Sequence, residues 1–312
     1  MSEIEKKSVS VLSYNVNWGF GLQRSKKSFF VDPKTKRKMG KTLTSKPVKI
    51  VIRCIVEAYV SLSLSPHSLS HIHYSHTNRN ADVVCLQETH EGWEELLMRN
   101  KDIQKMYRYK WFNHPHEKFG GSGAGFLSKF PILKTRVLKC EQEGSMAPAL
   151  MCNVAVCDDF RVRIVNVHLR PSISSDVPSH EEQKSFWNRT VFVMKSVGAY
   201  LSTAASVRFA EVKDYMKTVR NCKRSLPLLV LGDFNENENG SALTWLLGDA
   251  GLKRAPIKEV TWRWKLWLGS KSDRFDHILF SKSLNCVSSN LVEDTKYDGS
   301  DHYGVFGRFQ LV

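Results

Sequence analysis

The chain has 312 residues and a mass of 35.7 kDa, and 42% of its residues are hydrophobic, which suffices for one large domain. Its 46 Lys and Arg residues exceed its 31 Asp and Glu residues by 15. This excess favours polyanionic partners such as nucleic acid, phosphoinositide head groups or an anionic membrane surface, although solubility alone would also account for it. The composition excludes a disulfide-rich secreted scaffold and a disordered chain.

No apolar stretch follows a basic start, and none is long enough to cross a membrane, so neither a signal peptide nor a transmembrane segment is predicted. The seven cysteines are odd in number and lack CxxC spacing, and several lie in apolar runs. Free thiols of this kind indicate a reducing compartment. We therefore expect an intracellular protein, cytoplasmic or nuclear, that is a monomer with a single domain over residues 1–312.

The first half of the chain begins with a predicted strand at residues 9–14, which runs into the polar sequence Asn15-Val16-Asn17. A basic segment follows. Between Arg24 and Arg53 it contains eleven Lys and Arg residues and one acid, and its weak periodicity predicts a basic loop over residues 21–47. Apolar residues at helical spacing predict a helix over residues 47–58. Residues 82–88 form a nearly continuous apolar run that ends in Glu88, as expected of a strand buried on both faces.

The second half of the chain is also dominated by strand-like runs. The glycine-rich residues 120–125 lack the Lys-Ser/Thr and the following helix of a phosphate-binding loop, so they predict a tight turn. Further strands are predicted at residues 149–156, 162–168, 228–231, 275–280 and 303–311. A helix is predicted over residues 207–219. This order of elements predicts an α/β fold with two packed sheets covered by helices.

Two segments of about twenty residues interrupt this pattern, at residues 60–79 and 177–197. Both lack a clear hydrophobic period, and both begin with Val, whose codons all start with the dinucleotide GT of an intron donor site. We interpret them as insertions, which are either retained introns in frame or ordinary loop insertions.

Polar residues recur at the ends of the predicted strands, where the ligands of an open sheet collect. In chain order they are Asn15, Glu88, His168, Asp233, Asn235, Asp276, Asp301 and His302. Their contexts and order resemble the endonuclease/exonuclease/phosphatase (DNase-like) superfamily. The matching sequences are Ser13-Tyr14-Asn15-Val16-Asn17, Leu86-Gln87-Glu88-Thr89, Asn166-Val167-His168-Leu169, Gly232-Asp233-Phe234-Asn235, Arg274-Phe275-Asp276-His277 and Ser300-Asp301-His302. The resemblance implies a two-sheet α/β sandwich of the DNase-like type, with helices flanking the sheets.

A metal side of the site is expected at Glu88, because a carboxylate at the end of a buried strand is costly unless a cation compensates it. Mg²⁺, or Mn²⁺ in its place, is held by one or two carboxylates and keeps positions for water and phosphate oxygens. The resemblance places Asn15 in the same shell and Asp301 as a second contributor.

Asp233 is the candidate general base for the attacking water. Asn235 lies two residues further on, and an extended chain would place it on the same side. A protonated His302 would oppose charge on the phosphoryl oxygens, and Asp276 is its expected partner. The resemblance implies that His168 contacts the phosphate.

The expected activity is therefore metal-dependent hydrolysis of phosphodiester bonds, with nucleic acid as the expected substrate. An inositol-phosphate or sphingolipid phosphohydrolase and a non-catalytic nucleic-acid-binding relative are the alternatives. The aromatic and basic residues 261–268 either stack on bases or form a hairpin whose Trp residues pack in the core. A Thr-Trp pair before the Arg-Phe-Asp strand is similar to 5′-tyrosyl-DNA phosphodiesterases, but Asn237 stands where those enzymes carry an Arg.

Overall fold

The computed structural model describes residues 7–16, 55, 81–115, 123–145, 147–171, 186–266, 269–292 and 300–312, and for 186–202, 264–266 and 269–271 it describes the backbone alone. The basic loop 21–47 and the proposed insertion 60–79 lie outside these residues. Of the helix predicted over residues 47–58, only Ile55 is described, and it is helical and fully buried.

Fourteen strands and four helices are formed by the described residues. The strands are β1 Ser8–Asn15, β2 Val83–Thr89, β3 Tyr109–Asn113, β4 Gly123–Ser128, β5 Ile132–Leu138, β6 Ala149–Ala155, β7 Arg161–His168, β8 Leu228–Asp233, β9 Lys253–Arg254, β10 Trp262–Leu266, β11 Gly269–Asp273, β12 Asp276–Phe280, β13 Leu284–Val292 and β14 Gly304–Leu311. The helices are α1 Glu91–Arg99, α2 Lys101–Met106, α3 Phe186–Arg220 and α4 Ser241–Leu247. No helix among the described residues combines the length and the apolar character that crossing a membrane requires.

The strands form two six-stranded sheets and one separate hairpin. The first sheet has the order β13-β14-β1-β2-β4-β3, and the second has the order β5-β6-β7-β8-β12-β9. Each sheet is antiparallel except for one central parallel pair, β1 with β2 in the first sheet and β7 with β8 in the second. Parallel neighbours end at the same edge of a sheet, so each sheet carries the polar ends of two strands at one edge.

The central strands are apolar on both faces because each sheet is covered on both sides. Alternate residues of β1 point to opposite faces of the first sheet, so that Val11 packs in the core between the sheets and Leu12 packs under α1 and α2. In β7, Ile164 packs between the sheets and Val165 packs under α3 and α4. The layers are therefore helix, sheet, sheet and helix, as the two-sheet sandwich requires.

Hydrogen bonds of two buried amide side chains also join the two sheets. The Gln87 side chain of β2 donates to Oδ1 of Asn166 in β7 at 2.6 Å. The Asn166 amide in turn donates to the carbonyl oxygens of Leu86 at 3.0 Å and Gly125 at 3.3 Å. These hydrogen bonds satisfy most of the polar atoms that the two amides bring into the apolar core, and they fix how the sheets lie on each other.

The predicted strands at residues 9–14, 82–88, 149–156, 162–168, 228–231, 275–280 and 303–311 are confirmed to within a few residues. The tight turn predicted at residues 120–125 is wrong for its last three residues, because β4 begins at Gly123. The helix predicted over residues 207–219 is the last part of the 35-residue helix α3. Residues 186–197 of the second proposed insertion belong to the same helix, and residues 177–185 lie outside the described part of the chain.

Candidate active site

Strand register places three candidate residues side by side at the edge of the second sheet. Asp233, the last residue of β8, pairs with His168 of the parallel strand β7. It also pairs with Asp276, the first residue of the antiparallel strand β12. Asp233 and Asp276 are both 1% exposed, so two carboxyl groups are buried next to each other.

Gly232 sets the position of Asp233. Its φ angle is +142°, and a Cβ atom added there would lie 1.9 Å from the carbonyl oxygen of Val167 in β7. No side chain fits this close approach of β8 to β7, so only glycine can precede Asp233 without moving the strands apart.

The first sheet contributes Asn15 and Glu88. Asn15 ends β1, and its amide nitrogen donates to Glu88 Oε1 at 3.0 Å and to Asp233 Oδ2 at 2.9 Å, which connects the two sheets. Glu88 has a φ angle of +56° and lies where the register of β2 shifts against β4 between Gln87 and Thr89. Such a bulge re-aims a side chain, and a non-glycine residue in this conformation is strained.

His302 lies against two carboxylates of the second sheet. Its Nδ1 is 2.8 Å from Asp276 Oδ2, and its Nε2 is 3.5 Å from Asp233 Oδ2. Asp276 is held in turn by Thr261, whose hydroxyl oxygen accepts the backbone N–H groups of Phe275 and Asp276, both at 3.0 Å.

The charges of this pair follow from its surroundings. Burial by itself lowers the pKa of the His302 imidazole, but the carboxylates of Asp276 and Asp233 outweigh that effect and leave the pKa well above the usual histidine value. Burial raises the pKa of Asp276 to about 6, although His302 opposes the shift. At neutral pH the pair is therefore an imidazolium and a carboxylate.

His168 and Glu88 lie on the opposite side of Asp233. The Nε2 atom of His168 is 3.6 Å from Glu88 Oε1 and 3.8 Å from Asp233 Oδ2. Burial raises the pKa of Glu88, and His168 and Asn15 oppose the shift. Ligand atoms of Glu88, His168 and Asp233 lie within 4.8 Å of one another, as do those of Asp233, Asp276 and His302. Asp233 is common to both groups.

Asp301 is oriented by a tryptophan. The indole N–H of Trp262 donates to Asp301 Oδ2 at 3.0 Å, and its ring packs on Phe275 with 4.9 Å between centroids. Asp301 Oδ1 is buried without a hydrogen-bond partner and lies 3.9 Å from His302 Nε2. The Ser300 hydroxyl ties the same turn to β1 by donating to the carbonyl oxygen of Asn15 at 2.7 Å.

Asn235 lies at the site, but not in the extended conformation that its spacing from Asp233 predicts. Its φ angle is +50°, so the chain is left-handed and not extended after Asp233. Its backbone N–H donates to Asp233 Oδ1 at 2.8 Å, and its amide donates to the carbonyl oxygen of Leu169 at 2.8 Å. Asn235 therefore lies beside Asp233 and the end of β7, but the extended-chain argument for its position was wrong.

The turn after Asn235 is anchored by buried charges. Glu236 accepts the backbone N–H of Leu243 at 2.7 Å and pairs with Arg208 of α3 at 3.2 Å. Arg208 also donates to the carbonyl oxygen of Arg170 at 3.0 Å, next to the end of β7. The ion pair thus joins the two loops that carry His168 and Asn235.

All eight residues selected from the sequence are connected by the contacts above. Sequence reasoning missed the residues that hold them in place, namely Thr261, Trp262, Ser300, Arg208 and Glu236. The Thr-Trp pair was a visible signal, but a tryptophan in a basic aromatic stretch does not reveal a carboxylate partner 39 residues away. Residues 262–266 of the stretch form strand β10, which pairs with β11.

Comparison with known proteins decides the family. The sequence profile of the Endonuclease/Exonuclease/phosphatase family matches residues 12–302. The chain belongs to this family. It is a hydrolase acting on phosphoric ester bonds, of the nuclease and phosphodiesterase type. The profile spans all eight site residues, since Asn15 and His302 both lie within the matched range.

Solved structures agree in fold at low sequence identity. TDP2 from C. elegans is 18% identical with a TM-score of 0.57, over 97% of this chain and 75% of that one. The human Nocturnin catalytic domain is 15% identical with a TM-score of 0.53, over 98% of this chain and 94% of that one. D. rerio TDP2 is 15% identical with a TM-score of 0.56, over 97% and 99%. These likenesses show the two-sheet DNase-like fold, while no curated protein gives a significant match.

Proposed function

We propose that this hydrolase cleaves phosphodiester bonds of nucleic acid in a Mg²⁺-dependent reaction at the edge where the two sheets meet. The main observation in support of the proposal is that the amide nitrogen of Asn15 donates hydrogen bonds both to Glu88 of the first sheet and to Asp233 of the second. Around it, two histidines, of which His302 is buried, and four carboxyl groups meet, and such a concentration of titratable groups is typical of a catalytic site.

A divalent cation fits the first-sheet side of this site. Asp301 has a buried carboxylate oxygen without a partner, and the carboxyl group of Glu88 is desolvated enough to raise its pKa. Both features are costly unless a cation lies beside them. Glu88, Asn15 and Asp301 supply the hard oxygen donors that Mg²⁺ prefers, and Mn²⁺ accepts the same donors. A bound cation would supply charge neutralisation for the phosphate oxygens.

Asp233 is the proposed general base. Its Oδ1 is fixed by the Asn235 backbone N–H and its Oδ2 by the Asn15 amide, so the carboxyl group has one orientation. A water molecule in front of it would lose a proton to Asp233 while it attacks phosphorus. The Asn235 amide uses one N–H on Leu169, and its second N–H is available for the water or for an equatorial phosphate oxygen.

His302 and His168 flank the base on opposite sides. The imidazolium of His302, held in orientation by Asp276, opposes the negative charge that builds on the phosphoryl oxygens. His168 is close enough to both Glu88 and Asp233 for its Nε2 to contact the same phosphate group.

Charge supports nucleic acid as the substrate. The excess of 15 basic residues is concentrated in the sequence around the basic loop 21–47, and such a segment favours a polymer of phosphates over a small ester. Among the solved structures of the same fold, D. rerio TDP2 is described in complex with a single-stranded DNA product.

The decisive experiment is a hydrolysis screen of the purified chain against single-stranded DNA, duplex DNA, RNA, a tyrosyl-DNA adduct, inositol phosphates and sphingomyelin. Each substrate is assayed with Mg²⁺, with Mn²⁺ and with EDTA. We expect cleavage of nucleic acid that EDTA abolishes and Mg²⁺ restores. Cleavage of inositol phosphates or sphingomyelin alone would refute the substrate, and undiminished cleavage in EDTA would refute the metal.

The basic segment provides a second test. Neutralising Lys34, Lys36, Arg37 and Lys38 should weaken binding of DNA at low salt. Each lost phosphate contact should reduce the slope of log K against log salt by about 0.9 on duplex or 0.7 on single strands. Turnover of a short phosphodiester should stay at the parent's value. An unchanged salt slope would remove the electrostatic support for a nucleic-acid substrate.

A further inference from the structure

Residues 261–263, at the start of the hairpin β10–β11, form a short antiparallel ladder with the site residues 301–303. The Arg263 N–H donates to the carbonyl oxygen of Asp301 at 2.9 Å, and the Tyr303 N–H donates to that of Thr261 at 2.7 Å. Trp262 and His302 form the bridge between these two bonds. By the same register Arg263 lies opposite Asp301, and residues opposite each other in such a ladder share one face, with Cβ atoms about 5 Å apart.

Arg263 is an exposed cation held in a fixed orientation at this position. Its guanidinium lies over the ring of Tyr303, with 4.7 Å between Cζ and the ring centroid. Tyr303 and Asp301 are two residues apart and share one face of this ladder, so the stacked pair lies beside Asp301. Stacking on a ring covers one face of the guanidinium and leaves the N–H groups at its edge available as donors.

Three other arginines of the second sheet and its helices contrast with Arg263. Arg208 is paired with Glu236, and both Arg254 and Arg274 are paired with Glu238. Within the described part of the chain, Arg263 has no carboxylate partner within ion-pair distance. An exposed guanidinium that is orientated by an aromatic ring and unneutralised by an acid is suited to bind a phosphate through two parallel N–H···O bonds.

We propose that the Arg263–Tyr303 pair is a binding subsite for the phosphate next to the scissile one, and that it selects substrates with at least two consecutive phosphodiesters. The inference rests on the proposed function and adds a requirement about substrate length. A substrate with one phosphodiester fills the site around Asp233 and leaves Arg263 without a ligand. A longer strand places its neighbouring phosphate against the guanidinium.

The test compares thymidylyl-thymidine, which has one phosphodiester, with the trinucleotide that has two and with a longer single-stranded oligonucleotide. Arg263→Ala should lower kcat/KM about tenfold on the two longer substrates, the loss of one charge-assisted contact, and leave the value for the dinucleotide unchanged. Arg263→Lys should fall between the parent and the alanine variant, because it keeps the charge but loses the planar fork.

Arg136→Ala is the matched control, because Arg136 is an exposed arginine on β5, at the far edge of the second sheet. It should lower none of the three kcat/KM values. If Arg263→Ala lowers all three values equally, or none, or if Arg136→Ala reproduces its effect, the subsite is wrong while the proposed function stands. If the parent chain cleaves none of the three in Mg²⁺, the proposed function itself is wrong.

Discussion

The two sides of the site differ in how their carboxylates are compensated. On the histidine side, formed by His302, Asp276 and Thr261, the Asp276 carboxylate has the His302 imidazolium at 2.8 Å, while its Oδ1 atom is buried without a hydrogen-bond partner. On the carboxylate side, formed by Asn15, Glu88 and Asp301, the Glu88 backbone is strained and Asp301 Oδ1 is buried without a partner. The nearest histidine nitrogens there are 3.6 Å from Glu88 and 3.9 Å from Asp301, so among the described residues only the histidine side pairs its carboxylate with a cation at hydrogen-bond distance. The following predictions test this difference.

Asp233 contacts both sides, so changing it should have the largest effect. Asp233→Asn should lower turnover by roughly 10² to 10⁴, the range for loss of a positioned base. Folding should be kept, because the amide has the same shape and its single oxygen can still accept the Asn235 N–H, while the bond from Asn15 is lost. Steady-state kinetics together with thermal melts measure this, and near-normal turnover would exclude Asp233 as the base. Asp159→Asn, in a surface pair with Lys7, is the control.

On the histidine side, His302→Ala should lower turnover by about 10² to 10³, since it removes the cation that faces the phosphoryl oxygens. Asp276→Asn acts through His302, so adding it to His302→Ala should cost little more. A double-mutant cycle measures the coupling. If the two losses simply multiply, Asp276 does not work through His302.

The two sides should also differ in stability when no metal is present. In EDTA, Asp276→Asn should lower the free energy of unfolding by about 2 kcal/mol or more, because it leaves a buried imidazolium unpaired. Glu88→Gln should leave it unchanged or raise it, because the amide keeps the Asn15 bond and removes a desolvated charge. Urea unfolding of both variants measures this. Equal destabilisation by both would show that the two sides do not differ in how their charges are compensated.

Replacing Trp262 should lower the metal affinity of the carboxylate side and leave the maximal turnover nearly unchanged. Trp262→Phe keeps the ring on Phe275 but removes the N–H that orients Asp301, so the Mg²⁺ concentration for half-maximal activity should rise roughly tenfold. Direct Mn²⁺ binding by calorimetry should weaken by a similar factor, with maximal turnover nearly kept. Trp245→Phe in α4 is the matched control. Unaltered Mn²⁺ affinity in Trp262→Phe would mean that the indole has only a packing role.

The sequence is sufficient for the strands that form the centre of each sheet, because burial on both faces leaves continuous apolar runs such as residues 82–88. It misses the strands β5 and β13, since β5 is exposed at several consecutive positions and β13 is partly exposed, and neither shows a clear alternation. It also predicts only the last part of α3, because the first half of that helix has no recognisable hydrophobic period.

The site residues can be selected from the sequence because each lies at or next to one end of a strand, but their geometry cannot be predicted. The positive φ angles of Glu88 and Asn235 depend on a bulge and on contacts across the fold. The choice between stacking and a hairpin for residues 261–268 depends on which strands lie nearby. The catalytic and metal-binding roles of the eight residues, the single domain and the two insertions stay predictions.

Strand β1 lies inside the first sheet, between β2 and β14, and its register with β14 runs from Ser8 opposite Gln310 to Ser13 opposite Val305. Pairing β1 with β14 closes a loop of nearly the whole chain. The conformational entropy of that loop is lost before the contacts between the two strands form. Contacts this distant in sequence slow folding. During synthesis β1 must wait for β14, so Asn15 and His302 come together only at the end. Until β14 pairs with it, β1 has unpaired backbone N–H and C=O groups along one edge, which can pair with other chains. Aggregation is therefore favoured in the interval before β14 docks.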